Sequence, residues 1–296
     1  MKSVLRHWKL NYNNVIEVKK NVWCIDDSYY LKAYNDKAFI RNLQLYEDLR
    51  NYGIPAPEII TNIQGENYTK LNGTYYFLAC KMPGHHFLSE DVVNHPEKAR
   101  IVGKTLGKLH KTFSIISDWY ELTDNNFMAE LNGWIKDAIE EHGKDSYAYR
   151  IYQECKTELG LVYNKLVKHM IHRDIHLGNL LFNANEITGY IDFDLTQINV
   201  RIFDLAYILA GWMVDKTHDE SYMSNWNVAV QAIIKGYEEE TKLSEVEIST
   251  IRIMICCIEL LFIAYYFNIN DIENASKAEK CLVWLWEIYD GNPNSI

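Results

Sequence analysis

The sequence has no glycine before Gly53. Its N-terminal strands therefore cannot carry a Gly-x-Gly-x-x-Gly loop whose bare backbone closes over phosphates. None of the six cysteines (24, 80, 155, 256, 257 and 281) forms a Cys-x-x-Cys pair. They read as small buried hydrophobes in a reducing cytosol and not as a disulfide frame or zinc site. Positive charge is also short: Lys plus Arg is 30 against Asp plus Glu 40, a net charge of −10. Phosphate backbones demand clustered Lys and Arg, so a nucleic-acid partner is disfavoured, whereas a cationic small molecule is compatible. No apolar run is long enough to span a bilayer. The most hydrophobic one, "IMICCIELLFIAYYF" (253–267), is too short and carries Glu259, which reads as a helix buried inside a larger helical region. The opening "MKSVLRHWKLNYNNV" lacks the apolar core of a signal peptide. A cytoplasmic protein with no membrane partner is expected.

What is present divides at about residue 83. "NVIEV", "VWCID" and "YYLKAY" are short runs of β-branched and aromatic residues, and "NYTKL" and "TYYFLACKM" flank Asn72-Gly73, a two-residue hairpin signal. One helical pattern, "DKAFIRNLQLYEDLRNYG", interrupts them. Asp36 can cap it, Phe39, Leu43, Tyr46 and Leu49 form its apolar stripe, and Gly53 ends it before Pro55 and Pro57. Beyond "MPGHHF" (82–87) the spacing turns helical: Val102, Leu106, Leu109 and Phe113 first, then helices near 127–141, 146–169, 201–214, 222–240, 244–268 and 275–289. A short hairpin is expected around Asn183 to Glu186. The fold class is therefore α+β and bilobal: a small mixed β lobe over 1–83 and a large helical lobe over 84–296.

The informative stretch is "IHRDIHLGNLLF" (171–182), followed by "YIDFDL". Asn179 lies five positions after Asp174, and Asp192 thirteen after Asn179. This is the spacing of a kinase catalytic loop and its metal-binding Asp. Phosphoryl transfer needs the nucleophile and nucleotide held in line and the phosphate charge neutralised. Asp174 would accept or orient the proton of the attacking hydroxyl. Asn179 and Asp192 would hold Mg²⁺ through oxygen, as a hard cation requires. By strand alternation Lys32 shares a face with Tyr30 and Tyr34 and would reach the phosphates. Glu47 lies at i+4 from Leu43 and i+7 from Ile40, bordering the buried side of its helix, where Lys32 is a plausible partner. Two further patterns fail. "GKT" at 103–105 needs a glycine at 98 to close a Walker loop and has Lys98, and His169, His172 and His176 have no fourth ligand nearby for zinc.

A protein kinase would also carry a long activation segment ending in Ala-Pro-Glu; here "VRIFDLAYILAGW" begins a helix about ten residues after Asp192. Together with "YYLKAYN", "LYEDLRNYGIPAPEII", "YYFLACKMPGHHF" and "LGKLHK", these stretches resemble the aminoglycoside phosphotransferase and choline kinase superfamily, including its homoserine-kinase-like and spore-coat-associated branches. The usual residue before the catalytic Asp in that branch is Gly, where this chain has Arg173. The resemblance implies a protein-kinase-like fold and transfer of the γ-phosphate of ATP or GTP, with Mg²⁺, to a hydroxyl of an aminoglycoside, choline-like amine, sugar or amino-acid alcohol. It implies that the backbone of Cys80 and Met82 reads the base, that Leu181 and Ile191 lie beneath it, and that Asp204 supports the catalytic loop. It also implies that Lys19-Lys20-Asn21 covers the phosphates. The alternatives are a catalytically silent nucleotide-binding protein, against which intact Lys32, Asp174, Asn179 and Asp192 argue, and a protein kinase.

Overall fold

The computed structural model describes residues 2–213 and 219–291. The chain forms two compact units, Met1–His86 with Gly178–Asp194, and Phe87–Leu177 with Leu195–Ile296. Sequence order alone draws one boundary at 83/84; in the folded chain the segment after the catalytic loop packs with the N-terminal unit.

In the first unit a short helix α1 (Lys2–Leu5) leads into strands β1 (Val15–Lys19), β2 (Val22–Ile25) and β3 (Tyr29–Tyr34). Helix α2 (Ile40–Asn51) follows, then β4 (Ile59–Ile60), β5 (Thr69–Leu71) and β6 (Thr74–Cys80). The sheet is antiparallel in the order β1-β2-β3-β6-β4, with β5 also on β6. Alternation gives it two buried faces. Leu31 and Leu78, paired across β3 and β6, pack under Val4, Leu5 and Trp8. The next pair, Lys32 and Phe77, points the other way, where Phe39 and Leu43 of the α2 segment cover Phe77. Phe39 stacks on Phe77 at 5.7 Å and on Tyr34 at 4.3 Å between ring centroids. The Asn72-Gly73 turn joins β5 to β6 as its sequence predicts, with both residues at positive φ.

A hairpin of Leu180–Asn183 and Glu186–Tyr190 completes this unit. His85 N–H donates to Phe182 O and Phe182 N–H to His85 O, both at 2.9 Å, so the chain after β6 is stitched to the hairpin. Gly84 allows the approach: it sits at φ +114°, and a Cβ there would lie 2.8 Å from Phe182 O.

The second unit is helical: α3 (Ser89–Asn94), α4 (Pro96–Ile116), α5 (Phe127–Glu130), α6 (Lys136–His142), α7 (Tyr147–Val162), α8 (Ile202–Gly211), α9 (Glu220–Glu238), α10 (Glu245–Asn268) and α11 (Ile272–Gly291). A π-helical turn, Leu131–Ile135, links α5 to α6 around Gly133. The helix expected over 146–169 stops earlier, because Lys168–Ile171 pairs as a strand with Gln197–Val200. Position 214, the last of the helix expected from 201, lies outside the described residues. The glycines of "IVGKTLG" have a packing role. A Cβ on Gly103 would fall 2.0 Å from Ile233 O, and one on Gly236 1.9 Å from Arg100 O, so α4 and α9 cross backbone against backbone. Helix α10 is buried on all sides over most of its length. A capping box of Ser244 and Glu247 starts it, and Glu247 also takes a bidentate ion pair from Arg201 at 2.6 and 2.8 Å.

Among the described residues no helix is long and apolar enough to cross a membrane.

Candidate active site

The first unit holds a cleft of about 690 Å³, within the usual range for small-molecule sites. Lys32, Cys80, Met82, Leu181, Ile191 and Asp192 all line it, although the last three follow the others by 99 residues or more. Lys19, at the end of β1, and Lys20 and Asn21, in the turn to β2, also line it. Cys80 N–H donates to Glu58 O at 2.8 Å, which ties the end of β6 to the residue before β4.

Lys32 is the electrostatic centre of this cleft. Its Nζ lies 2.7 Å from Asp192 Oδ1 and 3.4 Å from Asp194 Oδ2. Burial alone would lower its pKa; the surrounding Tyr46, Asp194 and Asp192 outweigh that and hold it well above the ordinary lysine value. Asp194 shifts the opposite way to most paired carboxylates. Burial pushes it up, Lys32 opposes that and neighbouring Asp192 adds to it, because two carboxylates share one ammonium. Tyr34 donates its hydroxyl to Asp194 Oδ2.

The Lys32–Glu47 pair expected from the sequence does not form. Glu47 is exposed and accepts from Gln44 Nε2 at 3.2 Å. The buried stripe of α2 runs through Asn42, Leu43, Leu45, Tyr46 and Leu49, which rotates Glu47 outward. Asn42 takes the inward position instead and donates to Phe193 O at 2.9 Å and Asp194 O at 3.3 Å. Helix α2 thus holds the backbone of the Asp-Phe-Asp segment and gives Lys32 no carboxylate. Asn179 is buried, and its carbonyl accepts from Ile191 N–H at 3.0 Å, which binds it to the residue before Asp192. Among the described residues no cluster of three or more His, Cys, Asp or Glu could hold a metal unaided. The oxygen donors Asn179 and Asp192 suit a hard divalent ion that takes its remaining ligands from nucleotide phosphates and water.

Asp174 belongs to the second unit. Asp204, at the start of α8, accepts from His172 N–H at 2.8 Å and from Arg173 N–H at 2.9 Å, the two peptide groups preceding Asp174. It also faces His110 Nε2 at 3.0 Å, and His110 Nδ1 faces Tyr237 OH at 2.8 Å. Burial would raise Asp204, but the hydrogen bond from His110 and the nearby His110 and His172 rings hold its carboxyl below the usual range. His169 is instead pushed down to about 3 by burial and by His110, and stays neutral at pH 7. Arg173 sits at φ +74°, the conformation that favours Gly. Its side chain offsets that strain: Nη2 lies 2.6 Å from Glu130 Oε2, and the guanidinium stacks 4.2 Å over Phe203.

Two functional candidates escaped the sequence reading. Tyr207 OH donates to Asp174 Oδ1 at 2.9 Å, and Asp194 contacts Lys32. The second could have been suspected from the doubled Asp in "DFD". Nothing in the local pattern marks Tyr207, since its partner is 33 residues away.

Fold and donor cleft together define a kinase-like phosphotransferase. The chain matches the phosphotransferase enzyme family over residues 19–240 and belongs to it. A homoserine kinase of Zymomonas mobilis subsp. mobilis is 26% identical over 233 residues, covering 74% of this chain and 68% of that protein. Across the homoserine kinases it resembles, this chain spans 53–69% of their length. Solved structures of other kinases share the fold. A microcompartment-associated aminopropanol kinase superposes with TM-score 0.73 at 15% identity, covering 100% of this chain and 98% of that one. The amicoumacin kinase hAmiN, in complex with AMP-PNP, Ca²⁺ and Ami, superposes with TM-score 0.70 at 17% identity, covering 99% and 92%.

Proposed function

We propose that this protein transfers the γ-phosphoryl group of ATP, as its Mg²⁺ complex, to the hydroxyl of a small amino alcohol. The observation that carries the donor half is the 2.7 Å contact of Lys32 with Asp192 inside the cleft that Cys80, Met82, Leu181 and Ile191 also line. In this reading the Cys80 carbonyl and Met82 N–H read the adenine edge, Leu181 and Ile191 pack against the base, and Lys32 neutralises phosphate charge. Asn179 and Asp192 would hold the metal, which would draw charge from the departing phosphate oxygens. The acceptor oxygen bonds to the γ-phosphorus as the bond to the β-bridging oxygen breaks. Asp174 takes the acceptor proton, and ADP leaves.

The acceptor half rests on the relatives. Those named for homoserine and aminopropanol act on molecules that carry both an amine and a hydroxyl. The test is a coupled ADP-release assay with ATP or GTP against homoserine, aminopropanol, choline, kanamycin and a free sugar. Turnover above the no-acceptor background with homoserine or aminopropanol is expected. Turnover confined to kanamycin or the sugar would overturn the amino-alcohol reading, and the absence of any Mg²⁺–nucleotide binding would overturn the kinase reading itself.

A further inference from the structure

We propose that Asp194, held by Tyr34, is the residue that positions Lys32 on the donor phosphates. This rests on the nucleotide reading of the cleft and goes beyond it. A lysine that must meet phosphate needs a fixed anion behind it, because its four-carbon stem is otherwise free to rotate. Helix α2 offers none: its inward positions are Asn42 and Tyr46, and Glu47 is exposed. Lys32 finds two carboxylates instead, both from the segment after the catalytic loop.

Those two carboxylates are not equivalent. Asp192, at 2.7 Å, is also the oxygen donor suited to a divalent ion, and an oxygen committed to a metal is no longer committed to Lys32. Asp194 stays. Its backbone carbonyl is tied to Asn42 and its carboxylate to the Tyr34 hydroxyl. Tyr34 shares the β3 face of Lys32 two residues on and is itself fixed by stacking on Phe39. The Asp194 oxygen that accepts from Tyr34 is also the one 3.4 Å from Lys32 Nζ. Strand β3 therefore carries both the lysine and the hydroxyl that orients the lysine's anchor.

Fluorescent ADP titrations, run with Mg²⁺ and again in EDTA, test this without an acceptor. The proteins are wild type, Asp194→Asn, Lys32→Met, the double variant, Tyr34→Phe and the exposed control Glu47→Gln. Asp194→Asn is expected to weaken ADP about tenfold in both conditions, the effect of freeing one partly buried charged contact. In the Lys32→Met background it should change affinity less than about twofold, since a residue acting through Lys32 has nothing left to act on. Tyr34→Phe should weaken ADP in the same direction by a smaller factor, and Glu47→Gln should match wild type. A loss seen only with Mg²⁺ would make Asp194 a metal ligand and overturn the proposal. Losses that multiply in the double variant, or no loss at all, would overturn it too. If Asp194→Asn does not fold by thermal melt, Tyr34→Phe, which keeps the ring stack, carries the same test. Wild type that fails to bind ADP would instead overturn the nucleotide reading beneath it.

Discussion

Replacing Tyr207 by Phe removes one hydroxyl and leaves the ring in place. That ring stacks on Phe203 at 5.9 Å and meets Phe262 edge-on at 5.2 Å, so packing should hold and the loss should be confined to the 2.9 Å hydrogen bond to Asp174 Oδ1. The second oxygen, Oδ2, lies 3.9 Å from His176 Nε2. Tyr207 therefore holds one oxygen of the proposed base and fixes the rotation of its carboxylate. A hydrogen bond to a charged group contributes about 1.5–3 kcal/mol when enclosed. The Asp174 side chain is 30% exposed, so roughly half of that is a fair expectation, about 1 kcal/mol. Misplacement of the base adds to it, giving a fall in turnover of about 5- to 30-fold with nucleotide affinity unchanged. The assay is steady-state ADP release at saturating ATP, using the best acceptor found or background hydrolysis, beside an ADP titration. Unchanged turnover would refute the positioning role. Faster turnover would mean that the phenol occupies the acceptor's place, and equal losses in affinity and turnover would mean a general disturbance of the unit.

Other expectations follow from the same geometry. Asp174→Asn should cut turnover about 100- to 10,000-fold while sparing nucleotide affinity, whereas Asp192→Ala should weaken Mg²⁺-dependent binding as well; the reverse pattern in paired titrations and rate assays would show the roles misassigned. Gly103→Ala gains at most about 1 kcal/mol of helix propensity against a Cβ placed 2.0 Å from the Ile233 carbonyl. Overpacking of that kind costs about 1–3 kcal/mol or more, so thermal melts should show net destabilisation, and a raised melting temperature would contradict the backbone crossing. Glu259 is fully buried with neither carboxylate oxygen paired, and burial raises it well above the usual 4.5. Its folded-state pKa exceeds its unfolded one, so the stability of the protonated form is complete below about pH 4.5 and is lost as pH rises toward the folded value. Glu259→Gln should remove that slope and gain stability over wild type from pH 4 to 8 in urea melts; parallel curves would exclude it.

Local chemistry determined a good deal. The Asp174, Asn179 and Asp192 spacing is a fixed property of one short segment, and the alternation that turns Lys32 away from Leu31, the Asn72-Gly73 hairpin and the all-round apolar pattern of α10 each depend on neighbours close in sequence, so each is legible there. Rotations and distant pairings are not. Whether Glu47 faces Lys32 depends on the angle at which α2 lies on the sheet, and adjacent helical positions differ by about 100°. That angle is set by Phe39 and Leu43 against Phe77 and by Asn42 against Phe193. Arg173 in a position that favours Gly becomes intelligible only through Glu130 and Phe203, 43 and 30 positions away. The anchor of Lys32 lies 162 residues downstream at Asp194. The order of the chemical groups is a property of the chain, but which carboxylate meets which lysine is a property of packing, because a buried ionisable group either pairs with what the fold brings beside it or, like Glu259, is held neutral.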